Sequence, residues 1–321
     1  MLLTHLTDHL QLSYPIVGAP MAGVAGGRLA RAISKAGGLG MIGISSETPL
    51  SFIEEESSVA RGDDDKRFGL GLMIWAIERR PELLNAAIAA HPFLLSLSFG
   101  APGPYIARCR EAGILVATQV NTVAAAQEAE AAGVDLLVAQ GTEAGGHTGA
   151  VGTLPLLQAV LNAVRIPVLA AGGIASPGGL AAVLAAGAAG AWIGTAFLAC
   201  PEGTNTQEAR QRVVAAHETD TVHTNVFDRA QRIAWPPQYP GRALHNRFSA
   251  EWHGRVDELV GDANAAEVYR QARLARDHDI AVIYAGQAAG LITSERPAGE
   301  VVRDIGDGAE AMLRRFCSEV L

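Results

Sequence analysis

Aromatic residues are scarce in this chain, 5% of 321 residues, and charged residues make up only 18%. Scarcity of charge beside a 49% hydrophobic content excludes a disordered polymer and leaves a globular chain able to bury a large core. Cysteine is nearly missing: Cys109, Cys200 and Cys317 stand apart, with no CxxC and no zinc-type spacing. A disulfide framework and a structural metal site are therefore not expected, and a reducing, cytoplasmic setting fits. Positive charge is also short, with 25 Lys and Arg against 33 Asp and Glu and a net charge of −8. No basic stripe exists for nucleic acid to dock on. No run of about 20 apolar residues escapes interruption by charge or glycine, so no membrane span is expected. The opening MLLTHLTDHLQL lacks the basic start and long apolar core of a signal peptide.

Small residues are abundant instead, with 36 glycines and many alanines. One theme repeats: an Ala-rich helical pattern ends in Ala-Gly and a short apolar run follows. It occurs at Ala36-Gly37, Ala112-Gly113, Ala132-Gly133 and Ala186-Gly187. Glycine just past a helix end accepts the left-handed conformation that stops the helix, so each Ala-Gly predicts a cap leading into a strand. Strands are predicted at 15–19, 39–43, 67–72, 93–99, 114–120, 134–140, 166–172 and 190–195. They are apolar throughout rather than alternating, as strands of a parallel sheet covered on both faces are. Eight such strands separated by helices over about 200 residues predict an α/β fold, a TIM (β/α)8 barrel. A doubly wound open sheet is the structural alternative. Residues 204–281 are more polar and Pro-interrupted, and predict a smaller, mainly helical second domain. The barrel is then expected from 1–203 and 282–321, since the tail turns apolar again.

Gly38, Gly40 and Gly43 match GxGxxG, a dinucleotide fingerprint. That motif works between a strand and the helix after it, whereas here a helix precedes and the glycines fall in a strand. The seventh and eighth predicted strands end in Ala171-Gly172-Gly173 and Ile193-Gly194-Thr195. In barrels these two loops commonly hold a phosphate through backbone N–H groups, and Thr195 adds a hydroxyl. The glycines alternatively provide only tight turns. QGTEAGGHTG (140–149) follows the sixth strand on the same face. Gln140 offers amide contacts to a planar ring, and Gly145 and Gly146 leave room for one. His147 is either a general acid or base or a structural histidine fixing the loop. Glu143 caps or orients the loop or is simply solvated, and His217, His223, His245 and His253 have no metal-ligand spacing. Pro20 and Met21 after the first strand form a stiff, soft apolar surface for a flat ligand. Together these loops describe a site for a phosphorylated planar cofactor, best matched by FMN, with no cysteine nucleophile at any strand end.

YPIVGAPMAGVAGGRLARAISKAGGLGMIG, QGTEAGGHTG and VLAAGGIASPGGLAAVLAAGAAGAWIGTAFL, in this order, resemble the nitronate monooxygenases, FMN-dependent barrel enzymes. The resemblance runs from about Tyr14 into the C-terminal tail. It implies FMN contacts from Gln140, Gly145, Gly173 and the run Trp192, Ile193, Gly194 and Thr195, with Pro20 and Met21 beside the flavin. His147 becomes the expected active-site base. The implied reaction converts an alkyl nitronate and O2 to a carbonyl compound and nitrite. Alternatives are NAD(P)H-dependent reduction of a quinone or enoyl thioester, a flavin-free phosphate-binding isomerase or aldolase, or a non-catalytic flavin binder. A homodimer is compatible with this pattern. Two positions depart from the family: Gly71 stands where it usually has asparagine, and Thr148 where arginine is frequent.

Overall fold

The computed structural model describes residues 2–233 and 235–320. Among these residues eleven strands run in chain order: β1 (Ile16–Gly18), β2 (Met41–Gly43), β3 (Gly69–Met73), β4 (Leu94–Ser98), β5 (Leu115–Val120), β6 (Leu136–Gln140), β7 (Gly146–His147), β8 (Val168–Ala171), β9 (Gly190–Ile193), β10 (Thr221–Thr224) and β11 (Gly241–Leu244). Eight of them form one parallel sheet in the order β1-β9-β8-β6-β5-β4-β3-β2. A parallel bridge between Val17 and Leu39 joins its two edges, and Leu39 N–H donates to Ile16 O at 3.0 Å. The sheet is thus a (β/α)8 barrel, as the sequence predicts, rather than an open doubly wound sheet.

The helix caps follow the Ala-Gly pattern. Gly37, Gly113, Gly133 and Gly187 all have positive φ, between 71° and 100°, which terminates each helix without strain. Gly40 serves packing: an added Cβ would collide with the Ala30 backbone of the helix Gly27–Lys35. The GxGxxG pattern therefore lets helix and strand touch and makes no phosphate turn.

Alternate residues of each strand serve two cores. Val17, Met41, Leu94, Val138, Leu169 and Trp192 fill the barrel interior, where Leu6 and Leu10 join them. Those leucines belong to the helix His5–Leu10, held by a Thr4 capping box, which closes the end of the barrel opposite the strand termini. Ile16, Ile42, Leu70, Leu95, Leu137 and Ile193 point outward under the helices. The C-terminal helix Ala298–Val320 packs on the helices Pro177–Ala185 and Gly27–Lys35.

Between residues 204 and 281 the chain covers the strand C-termini. Helices Val226–Gln231, Arg247–Trp252, Val256–Gly261 and Ala263–Ala275 enclose their own core around Phe227, Phe248 and Tyr269. This part is not purely helical. β10 and β11 pair antiparallel, and β11 pairs with β7, so a three-stranded sheet ties the cover to the loop after β6.

Candidate active site

The strand C-termini and the cover enclose a cavity of about 630 Å³, a volume suited to a cofactor with a substrate beside it. Pro20, Met21, Gly71, Gln140, Gly145, Gly146, His147, Gly172, Gly173, Trp192, Gly194 and Thr195 all line it. Ile193 does not. Its side chain lies in the layer under the helices, because neighbouring residues of a strand face opposite sides and Trp192 takes the inward one. Only its backbone works toward the site, accepting from Ala19 N–H at 2.8 Å.

The loop after β6 is tied down at nearly every residue. Thr148, fully buried, donates its hydroxyl to Gly141 O at 2.9 Å. Asn121 Nδ2 donates to Gln140 O at 2.8 Å and to Gln140 Oε1 at 3.3 Å. The Gln140 amide oxygen is thereby engaged, and its NH2 is left to donate into the cavity. Thr148 thus has a loop-stitching use that a long cationic side chain would not fill. Arg242 Nε donates to Thr142 O at 2.7 Å, and Gln287 N–H donates to Glu143 O at 3.0 Å.

Glu143 is not simply solvated. Its carboxylate accepts from Thr153 N–H at 2.8 Å and Thr153 Oγ1 at 2.9 Å, capping the helix Thr153–Ala163. Acids at helix N-termini satisfy free N–H groups and meet the positive end of the helix dipole. Glu143→Ala should therefore lower stability by about 1 kcal/mol, read as a lower unfolding midpoint in denaturant. An unchanged midpoint would show the cap to be idle.

Beside this loop, at the end of the neighbouring strand β8, Gly172 and Gly173 have φ of 110° and 72°. Such backbone turns its N–H groups toward a ligand at no steric cost. A Cβ on Gly194 would come into ordinary contact, 3.4 Å from both Ala19 Cβ and Met21 Sδ. Thr195 opens a short 3-10 helix, and its Oγ1 accepts from Gly286 N–H at 3.0 Å. Its hydroxyl proton is then free to donate. The left-handed Gly172-Gly173 turn, the side-chain-free Gly194 and the Thr195 hydroxyl proton fit the phosphate of a phosphorylated cofactor. Gly71 is explained by its neighbour, since a Cβ there would run into the Pro20 ring.

His147 is buried, with Nε2 at 2.9 and 3.0 Å from the two oxygens of Asp228. Its ring stacks on Trp235 with centroids 3.5 Å apart and planes 9° from parallel. Tyr284 donates its hydroxyl to Asp228 Oδ1 at 3.3 Å. Burial first, and then the Asp228 charge, hold the Tyr284 phenol well above its ordinary pKa, so it stays a donor. Trp235 sits edge-on to Trp75 and Phe99, and Phe99 to Tyr239, forming an aromatic wall beside the imidazole. Asp228, Trp235 and Tyr284 are functional candidates that no local motif marks. A buried aspartate in a polar segment and the Trp-Pro-Pro turn are the only traces in the sequence.

His223 donates Nε2–H to Pro240 O at 2.9 Å. Burial, followed by the Arg242 charge, lowers its pKa, and it serves as a neutral strut of the small sheet. Among the described residues no group of three or more His, Cys, Asp or Glu side chains could hold a metal ion. No helix there is long and apolar enough to cross a membrane.

Fold and site together define a (β/α)8 barrel whose one cavity is lined by the glycine turn, Thr195 and His147, the last held by the buried Asp228. The nitronate monooxygenase family model matches residues 81–308, and the chain belongs to that family. Members of this flavin-dependent family are oxidoreductases. The chain is 33% identical to a nitronate monooxygenase of Pseudomonas aeruginosa over 357 residues, covering 93% of this chain and 97% of that one. It is 35% identical over 271 residues to a (3aS,4S,5R,7aS)-5-hydroxy-7a-methyl-1-oxo-octahydro-1H-indene-4-carboxyl-CoA dehydrogenase of Rhodococcus jostii, covering 83% of this chain and 73% of that one. The solved structure of FabK from Thermotoga maritima superimposes with a TM-score of 0.87 at 30% identity, covering both chains completely.

Proposed function

We propose that this protein is an FMN-dependent oxidoreductase that oxidises alkyl nitronates with O2 to a carbonyl compound and nitrite. The observation that carries this reading is one cavity lined by both the glycine turn and His147, which Asp228 holds from behind the lining. Gly172, Gly173, Gly194 and Thr195 would hold the phosphate, and Gln140 would donate to the ring system. Pro20, Met21 and the Gly145-Gly146 turn would border that ring system. FMN, when bound, supplies the electron acceptance and the reaction with O2.

The chain's own residues supply position and proton transfer. Asp228 fixes which ring nitrogen of His147 carries hydrogen, leaving Nδ1 to take a proton from the α-carbon of a neutral nitroalkane. The carboxylate then faces the imidazolium so formed, and Tyr284 holds the carboxylate. Trp235, Trp75 and Phe99 keep water from that side of the ring. A preformed nitronate has already lost its α-proton and needs only placement. Residues 204–281 act as the lid that completes this wall, with 1–203 and 282–321 as the barrel beneath.

A second reading, NAD(P)H-dependent reduction of a quinone or enoyl thioester on the same barrel, is supported by the CoA-ester dehydrogenase of Rhodococcus jostii. Family membership weighs against the flavin-free isomerase or aldolase. Oxygen consumption by FMN-saturated protein, with propionate-3-nitronate and separately with NADH, tests the choice. Nitronate-driven uptake supports the first reading. Anaerobic bleaching by NADH with none by the nitronate would overturn it.

A further inference from the structure

The mouth of the cavity carries a feature that oxidation of a small nitronate does not use. Arg273, Arg276 and His278 line it on the lid side, and Thr204, Asn205 and Thr206 line it as well. Arg273 lies in the last turn of the helix Ala263–Ala275, and Arg276 is its left-handed cap at φ 55°. Arg270, one turn earlier, is paired with Glu267 at 2.7 Å. Neither Arg273 nor Arg276 has a carboxylate partner among the described residues.

Nearby acids are already committed. Asp279 and Glu208 both pair with Arg212, at 2.6 and 2.9 Å, and Asp277 Oδ1 accepts from Asp279 N–H at 3.0 Å. His278 Nε2 stands 3.5 Å from Thr206 Oγ1, and its Nδ1 is buried without a partner. Glu47, the other charged residue of the lining, belongs to the loop after β2. In a chain of net charge −8, two unpaired guanidinium groups at a cavity mouth make a local positive field that draws anions in. Guanidinium is also the side chain best shaped for phosphate oxygens.

We infer that Arg273, Arg276 and His278 form a second anion site, which takes the diphosphate of a long ligand whose other end reaches His147. The ligand class is a diphosphate-bearing nucleotide conjugate, either a coenzyme A thioester or a nicotinamide dinucleotide. The inference rests on the cavity being the flavin site of the proposed function, because the inner cradle must already be filled for the mouth to be the place where this diphosphate binds.

The test is calorimetric titration of FMN-saturated protein with coenzyme A and, separately, with NADPH, at low and high salt. One arm should bind with an affinity that falls as salt rises, and that arm identifies the source. Arg273→Ala/Arg276→Ala should weaken that arm by at least tenfold, while Arg273→Lys/Arg276→Lys should weaken it less. Binding by neither compound, or equal binding by the alanine variant, overturns the inference. The visible flavin spectrum is followed in the same samples, and wild-type protein that takes up no FMN marks failure of the flavin reading instead. The titration needs no turnover, so the two failures are read apart.

Discussion

His147→Asn should lower turnover of a neutral nitroalkane by about 10²–10⁴-fold, the usual contribution of a positioned general base. FMN should stay bound, because the cradle at Gly172, Gly173 and Thr195 is on other strands. A preformed nitronate needs no α-proton removed, so its turnover should fall much less. That contrast separates proton transfer from damage to the wall, since loss of the Trp235 stack would affect both substrates. Asp228→Asn provides the second reading of the same pair. It keeps the ring and the stack but removes the carboxylate that both oxygens present to Nε2 at 2.9 and 3.0 Å. An intermediate loss confined to the nitroalkane is expected. Equal falls on nitroalkane and nitronate in both variants would remove the base assignment and leave His147 a structural residue.

Gly172→Ala should yield protein depleted in flavin, with FMN affinity reduced on the order of tenfold or more through strain and displacement of the turn. At φ 110° an alanine is strained, and its Cβ would stand 2.6 Å from Thr153 Oγ1 and 3.1 Å from Ala144 N. Thr153 is the residue that Glu143 grips, so the push would reach the loop bearing His147. Gly113→Ala is the control. It is also left-handed, at φ 71°, but nothing lies within 4 Å of the added carbon and it is far along the chain from the cavity loops. The ratio of flavin to protein absorbance after purification reads both variants. Full flavin content in Gly172→Ala would show that this turn does not hold the phosphate.

All eight barrel strands were legible because each is a short, locally apolar run, and an Ala-Gly stop announces four of them. The facing of those strands was not. Both sides of each are buried, so hydropathy does not distinguish inward Trp192 from outward Ile193. The glycines of the cradle and His147 could be found because they cluster within short loops. Their partners could not, since Asp228 is 81 residues from His147 in sequence and joins it only through the lid. The small sheet escaped for another reason. β7 is two residues long and opens on a glycine, and its register with β11 exists only once the lid has folded over the loop. The role of Glu143 stayed open between capping, orienting the loop and simple solvation, because a carboxylate in a glycine loop gives no sign of the helix terminus ten residues on that it caps.

The short helix His5–Leu10 closes the lower end of the barrel with Leu6 and Leu10. The chamber is therefore closed from below, like a well open only on the side of the strand C-termini. Arg273 and Arg276 are exposed on its lining, so a ligand entering from solvent meets them ahead of the buried His147. Where entry and exit share one opening, release of one molecule precedes entry of the next.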